Sequence, residues 1–403
     1  MLDHTGGNRV PCTCGTRKTM KNDTEIDKIP NSRICEFIER YVRSLTASKP
    51  DTIDELAQPE GDGRCDGIVK LLVGSSRTTR NGPRPTRRVL AEIADNIQSL
   101  LPRNEPIRIA VAWGCRKTWD RCTPGIDLAE LFSFVQLAAL NESVRRIYSP
   151  GIRYSIYPGD SWYEYIYDET DGITEYVQGL SGLTRAFGEF APQVIPLSGC
   201  QDKDAARHKA ACDANLALLT EYWYESSTCE VADWPTLHSY RRLCDSGWKG
   251  TIPPEMRQYY LDRTARFVPD ADRDGLIEAV LKHFAYALME KQFGLIDRYS
   301  RERCTVEFSL RSPPPGMPTD LRTNRLHVRP MPRSVTRKSA PPWTVQGTVT
   351  IDEDGAMNTE ILSSRDRDLD RLAFAGYTPF QYCRAPGAPV INVPVYRVNR
   401  NRS

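Results

Sequence analysis

The stretch "IRIAVAWGCRKTWD", Ile107–Asp120, begins as a strand and stops abruptly. Ile107, Ile109, Val111 and Trp113 alternate with shorter or polar neighbours, the period of a half-buried strand. Gly114 then permits a sharp turn, and Arg116 and Lys117 follow as adjacent cations. Beyond them, "DLAELFSFVQLAALNESVRRI" carries Leu128, Leu131, Phe132, Val135 and Ala139 at helical spacing. Asp127 is a natural N-cap and Glu130 stands three residues on, the Asp/Glu form of a capping box. Pro150-Gly151 ends that helix. "RYSIYPGD", Arg153–Asp160, reads as the next strand, and a helix through "ITEYVQGLSGLTRAF" leads to a third strand, "PQVIPLS". This alternation predicts a Rossmann-like α/β fold, with a mostly parallel sheet and flanking helices.

The rest of the 403 residues is arranged around this centre. Residues 1–30 are polar and turn-rich and read as a disordered tail. Residues 31–200 form the N-terminal part of the α/β domain, opening with the amphipathic helix "SRICEFIERYVRSLTA" and a second helix, "RVLAEIADNIQSLL". Between those two lies a basic, Pro-containing loop, Ser75–Arg88. Residues 201–300 turn mainly helical, as an insertion. Residues 301–403 read as a C-terminal β-rich portion packing on the α/β core, with "DEDG", Asp352–Gly355, as a hairpin turn.

Composition narrows the functions. Hydrophobic residues make up 40% of the chain and the net charge is +2, which suits a core-forming protein and gives no bulk attraction to a polyanion. No run of apolar residues approaches a membrane span, and "MLDHTGGNRVPCTCGTRKTMKND" has no apolar signal core. The expectation is a cytoplasmic protein whose 12 cysteines are mostly thiols, Cys12 and Cys14 included. His208 and His283 sit in helical patterns without ligand partners at useful spacing, so no metal site is expected. No Gly-x-Gly-x-x-Gly follows the first strand, which argues against a dinucleotide oxidoreductase, and no cofactor is expected.

In open α/β sheets ligands sit beyond the carboxyl ends of the strands. There Arg116 offers a planar fork and Lys117 a compact ammonium, suited to phosphate or carboxylate; two solvated cations are the equal alternative. Asp160, at the end of the next strand, either caps a turn or holds an amine or hydroxyl. Trp162 and Tyr163, with Tyr165 and Tyr167, are core residues or a pocket wall. Asp127 and Glu130 are sufficiently explained as a helix cap.

These residues resemble the isonitrile synthase family of pyoverdine-cluster and dityrosine biosynthesis. Lys117-Thr118 matches the family's Lys-Ser position, Asp127 and Glu130 its acidic pair, Tyr148, Pro150 and Gly151 its Tyr-x-Pro-Gly, and Asp160 its turn aspartate. A second block agrees in order: Arg325 and Pro330 in "NRLHVRPMP" match an Arg-x-Ser-x-His-Pro segment, and Pro342 and Trp343 in "APPWT" match Pro-Trp-His. The blocks bracket residues 85–360. The motif histidines are replaced by Arg329 and Thr344, and Gly114 stands at a motif proline. Arginine has no acid–base role near neutrality; it favours an anion.

The resemblance implies a condensation. An amino-acid α-amine joins the C2 ketone of ribulose 5-phosphate, and one sugar carbon is kept as the isonitrile. On that reading Lys117 and Asp160 are catalytic. Arg116, Thr118, Trp162, Tyr163, Arg325, His327, Arg329 and Trp343 bind substrate. The partners are an amino acid and a phosphorylated sugar, with a downstream oxygenase or peptide synthetase in the pathway. Two alternatives stand beside it. One is the same fold joining an amine to another phosphorylated or carboxylated substrate. The other is a nucleic-acid or protein-binding module using the basic loop and "RPMPRSVTRK"; the balanced charge argues against nucleic acid.

Overall fold

The computed structural model describes residues 29–47, 63–74, 85–117, 122, 125–159, 164–166, 171–188, 192–196, 204–225, 261–262, 265, 271–293, 305–310, 325–337, 340–363, 366, 369–382 and 388–398. Strand β1, Ile107–Trp113, is the centre of a five-stranded sheet. Its neighbours are β2, Ile152–Pro158, and β4, Val306–Ser309. The outer strands are β3, Gln193–Val194, beside β2, and β5, Arg325–His327, beside β4. All four pairings are parallel. The order β3-β2-β1-β4-β5 reverses direction between β1 and β4. That reversal is the topological switch point at which open α/β sheets form their crevice. The expected α/β class is therefore found, and β4 and β5, from the segment after residue 301, complete the parallel sheet.

Helix α4, Leu128–Arg145, connects β1 to β2. Every residue from Leu128 to Leu137 is buried, so this helix is covered all round and not on one stripe. One side faces the parallel sheet. The other meets a second sheet of order β7-β6-β9-β8, built from β6 Gln346–Ile351, β7 Met357–Leu362, β8 Leu372–Phe380 and β9 Ile391–Val398. β6 and β9 are parallel; the outer pairs are antiparallel, and β6–β7 closes through the expected turn, with Gly355 at φ 76. The polar residues of α4 are satisfied locally. Ser133 and Ser143 donate to the carbonyls of Ala129 and Ala139, and Asn141 accepts from Ile152 N at 2.7 Å, fixing the start of β2.

Helices α1, Asn31–Ala47, α2, Arg64–Gly74, and α3, Arg87–Leu100, extend the same core. Val89, Ile93 and Ile97 are the buried stripe of α3, as their four-residue spacing predicts. α5, Asp171–Arg185, packs beside α4 and β3. α6, Ala205–Glu225, and α7, Arg273–Gln292, pair with each other over a small separate cluster of Cys212, Tyr286 and Met289. The five described cysteines, Cys35, Cys65, Cys115, Cys122 and Cys212, are thiols and not disulfides. Residues 1–28 and Ser75–Arg84 of the basic loop lie outside the described residues. Among the described residues no helix is long and apolar enough to cross a membrane.

The contact between α4 and β6 leaves no room at one position. A β-carbon on Gly347 would overlap the backbone of Leu128 and Ala129. Gly347→Ala is expected to destabilise the protein by roughly 1–3 kcal/mol, as overpacking does, in a urea unfolding curve. An unchanged midpoint would mean that α4 and β6 are not in this close contact.

Candidate functional site

The second cation after β1, Lys117, does not point into water. The chain turns at Gly114, where a β-carbon would lie 2.5 Å from the Trp343 indole, and Lys117 returns into the protein. Its ammonium lies 2.7 Å from Glu130 Oε2 and 3.0 Å from Asp127 Oδ2. It also donates to the carbonyls of Pro342, at 2.9 Å, and Val345, at 3.0 Å. The side chains of Asp127 and Glu130 are fully buried, and that of Lys117 is 2% exposed.

An ammonium has three hydrogens. Glu130 and the two carbonyls take them, which accounts for Asp127 Oδ2 lying beside Nζ yet having no hydrogen bond of its own. Asp127 Oδ1 is doubly used, accepting from Ala129 N at 2.8 Å and Gly347 N at 3.0 Å. Glu130 Oε2 also accepts from Asp127 N at 2.9 Å, completing the expected capping box. Glu130 Oε1 accepts from the Tyr176 hydroxyl at 2.7 Å, and that hydroxyl accepts from Trp113 Nε1 at 3.1 Å. One cluster thus joins β1, the N-terminus of α4, α5, and the segment leading into β6.

Charge follows from this geometry. Burial alone would lower the basicity of Lys117, but the carboxylates of Asp127 and Glu130 outweigh it and hold the ammonium above its ordinary value. It is therefore a fixed cation at neutral pH and not a free amine nucleophile. Burial pushes the Glu130 carboxyl up, to about 8; Lys117 opposes this and Asp127 adds to it. Burial and the neighbouring Asp127 thus disfavour charge on Glu130, and the Lys117 ammonium is what offsets them.

Two expectations are corrected here. Lys117 was expected to hold a phosphate or carboxylate; its hydrogens are engaged inside the protein and two carboxylates surround it. Trp343 was expected to line a substrate site; it is 1% exposed, packed on Gly114 and 5.7 Å from the Trp113 ring. Its size is used to fill the core.

Of the other expected site residues, Arg116, Arg325, His327 and Arg329 are described. Arg116 is half-buried directly before Lys117. Arg325 begins β5 opposite Glu307, and His327 ends it, half-buried, opposite Ser309. Arg329 is buried in its own turn, where Nη1 donates to the carbonyls of Thr336 and Arg337. Thr118, Asp160, Trp162 and Tyr163 lie outside the described residues. The motif Tyr148-x-Pro150-Gly151 has a structural part. The Tyr148 hydroxyl donates to Glu105 O at 2.6 Å, and Gly151 takes a φ of 64, where a β-carbon would strike Asn141 and Arg145. Tyr176 and Gly347 were not anticipated: a helical tyrosine and a strand glycine give no local sign of a partner far along the chain.

Lys117→Met would leave two buried carboxylates without their cation. It is expected to destabilise the protein by about 3–5 kcal/mol, the usual cost of breaking a buried pair from one side. Adding Asp127→Asn and Glu130→Gln to that variant should recover part of the loss. Equal stability of wild type and Lys117→Met in urea would show that the cluster does not form.

No protein family and no curated protein matches this sequence. Among solved structures, the PvcA protein from Pseudomonas aeruginosa is similar, with a TM-score of 0.47 and 15% identity over 77% of this chain and 92% of that one. Tyrosyl-tRNA synthetase complexed with L-tyrosine from Pyrococcus horikoshii gives a TM-score of 0.26 and 11% identity over 60% of this chain and 56% of that one. At these values neither likeness assigns an activity.

Proposed function

We propose that this chain is a carbon–nitrogen bond-forming enzyme of isonitrile-synthase type, joining the α-amine of an amino acid to the C2 ketone of ribulose 5-phosphate. The observation that carries the reading is the meeting of the two motif blocks. Lys117, Asp127 and Glu130 of the first block converge on the carbonyls of Pro342 and Val345, beside Trp343 of the second. They do so beyond the carboxyl end of β1, next to the switch point.

Each residue has a stated part. The amine must lose protons as its nitrogen attacks the ketone, and the carbinolamine oxygen must gain one before it leaves as water. Asp160 receives the amine and exchanges its proton, and Glu130, fully buried with both oxygens engaged, positions the start of α4 behind the turn. Lys117 fixes the charge and position of Glu130. Arg116, Thr118, Arg325, His327 and Arg329 hold the sugar phosphate, and Trp162 and Tyr163 take the amino-acid side chain. The isonitrile would pass to an oxygenase or a peptide synthetase, and the setting would be the cytoplasm.

A second reading rests on a specific departure. Thr344 replaces a motif histidine, and its hydroxyl donates to Pro341 O at 2.8 Å, back across the short 3-10 turn Pro342–Thr344. A hydroxyl so placed has no proton to exchange near neutral pH. The same fold would then join an amine to another phosphorylated or carboxylated substrate. A nucleic-acid or protein-binding module has the least support, since the net charge of +2 gives no bulk attraction to a polyanion.

The test uses uniformly 13C-labelled ribulose 5-phosphate with tyrosine, tryptophan and the other amino acids in turn, read by mass spectrometry. The expected product carries one labelled carbon, and Asp160→Asn lowers its rate by 100-fold or more. Absence of labelled product with every amino acid would sink the isonitrile reading and leave the second.

A further inference from the structure

Side chains along a strand alternate between the two faces of its sheet. In the five-stranded sheet the first face carries Ile109, Val111 and Trp113 of β1, Ile156 of β2 and Phe308 of β4, all buried in the main core. The Lys117 cluster belongs to that side, because the Trp113 indole donates to Tyr176, which donates to Glu130. The second face differs. Register sets Tyr157, Ala112, Ser309 and His327 side by side across β2, β1, β4 and β5, in one row at the carboxyl end. Ala112 is exposed although β1 is the central strand, and the other three are half-buried. One step back, Ala110 and Glu307 are paired neighbours and buried. A parallel sheet normally buries apolar side chains on both faces; here one face presents methyl groups between polar ones.

Handedness decides what stands over this face. The crossovers from β1 through α4 to β2, and from β2 through α5 to β3, run in one direction, and α4 and α5 share the first-face core. The return from β3 to β4 runs the other way, so the right-handed rule puts α6 and α7 on the second face. They close on their own cluster around Cys212, Tyr286 and Met289, joined by Tyr165 from the segment after β2, and they leave Ala112 exposed. A small exposed residue in the middle of a sheet, beside the switch point, is the floor of a binding space. We propose that the two reactants meet on this second face, over Ala112, and that Tyr157 limits the size of the amino-acid side chain accepted. Tyr157 leads into the segment that carries Asp160, Trp162 and Tyr163, so the amino acid lies on the β2 side. Ser309 and His327 stand on the β4–β5 side, toward the other reactant. The methyl group of Ala112 keeps the space under the forming bond clear. The Lys117 cluster, on the first face, touches neither reactant. The identity of the reactants rests on the condensation proposed above; the choice of face rests on burial and register alone.

Thiol alkylation mapped by mass spectrometry tests the face on the full chain. Ala112→Cys places a thiol in the row, and Arg108→Cys places one on the same face at the exposed amino end of β1. N-ethylmaleimide should alkylate both. Ribulose 5-phosphate together with an amino acid that gives product should slow alkylation at position 112 by about tenfold and leave position 108 unchanged. Ala112→Leu should lower the rate of isonitrile formation about 100-fold with every amino acid. Ala112→Val, a residue that strands accept readily, should lower it about tenfold and carries the test if the leucine variant fails to fold. Tyr157→Ala should shift kcat/KM about tenfold toward larger amino acids. Full rate in both Ala112→Leu and Ala112→Val, or equal alkylation at position 112 with and without reactants, overturns the proposal, and an unchanged preference in Tyr157→Ala overturns the size limit. Isonitrile formation with such results keeps the reaction and rejects this face. Protection of position 112 by an amino acid or by ribulose 5-phosphate, without any isonitrile, keeps the face and rejects the reaction.

Discussion

An ammonium buried among two carboxylates and two carbonyls is tolerable only when every partner is in place, and Lys117 is in that position. The penalty for removing these charges from water is offset by short contacts drawn from three separate parts of the chain. Consequently the turn after β1, the cap of α4 and the approach to β6 are fixed together. The close approaches at Gly114 and Gly347 belong to the same constraint, since a larger residue at either would push the second sheet away from Lys117.

This junction organises the carboxyl edge of the parallel sheet. The core beneath is made by α4, buried between both sheets. The polar groups lie where β1 and β4 diverge and where β5 ends. The edge separates two electrostatic environments. Around Glu130 two carboxyl groups surround one ammonium; at Arg329 a buried guanidinium has only backbone carbonyls as hydrogen-bond partners.

What the sequence made legible was local. The alternation of Ile107–Trp113 and the capping box at Asp127 and Glu130 depend on near neighbours, and both are present. The use of those cap carboxylates to hold Lys117 was not legible, because a satisfied N-cap looks the same whatever else it touches. The two final strands were not foreseen either. β8 and β9 contain Pro379 and Pro394, residues that ordinarily count against a strand, and much of β8 is exposed at the sheet edge. Adjacent cations after a strand suggested an open anion site; burial of Lys117 reversed that sense, and only long-range contacts reveal it.

The central claim is that Lys117 is a permanently charged, internal ammonium. The Lys117 pKa is raised above the ordinary 10.5 in the folded protein, so its stabilising contribution is complete below that pH and is lost as pH rises beyond it. The direct measurement is lysine ammonium 1H–15N NMR, with Lys117→Met used for assignment. The account predicts one slowly exchanging signal, absent in the variant, that stays protonated at a pH where surface lysines have titrated. A Lys117 signal that exchanges and titrates with the surface lysines would contradict it.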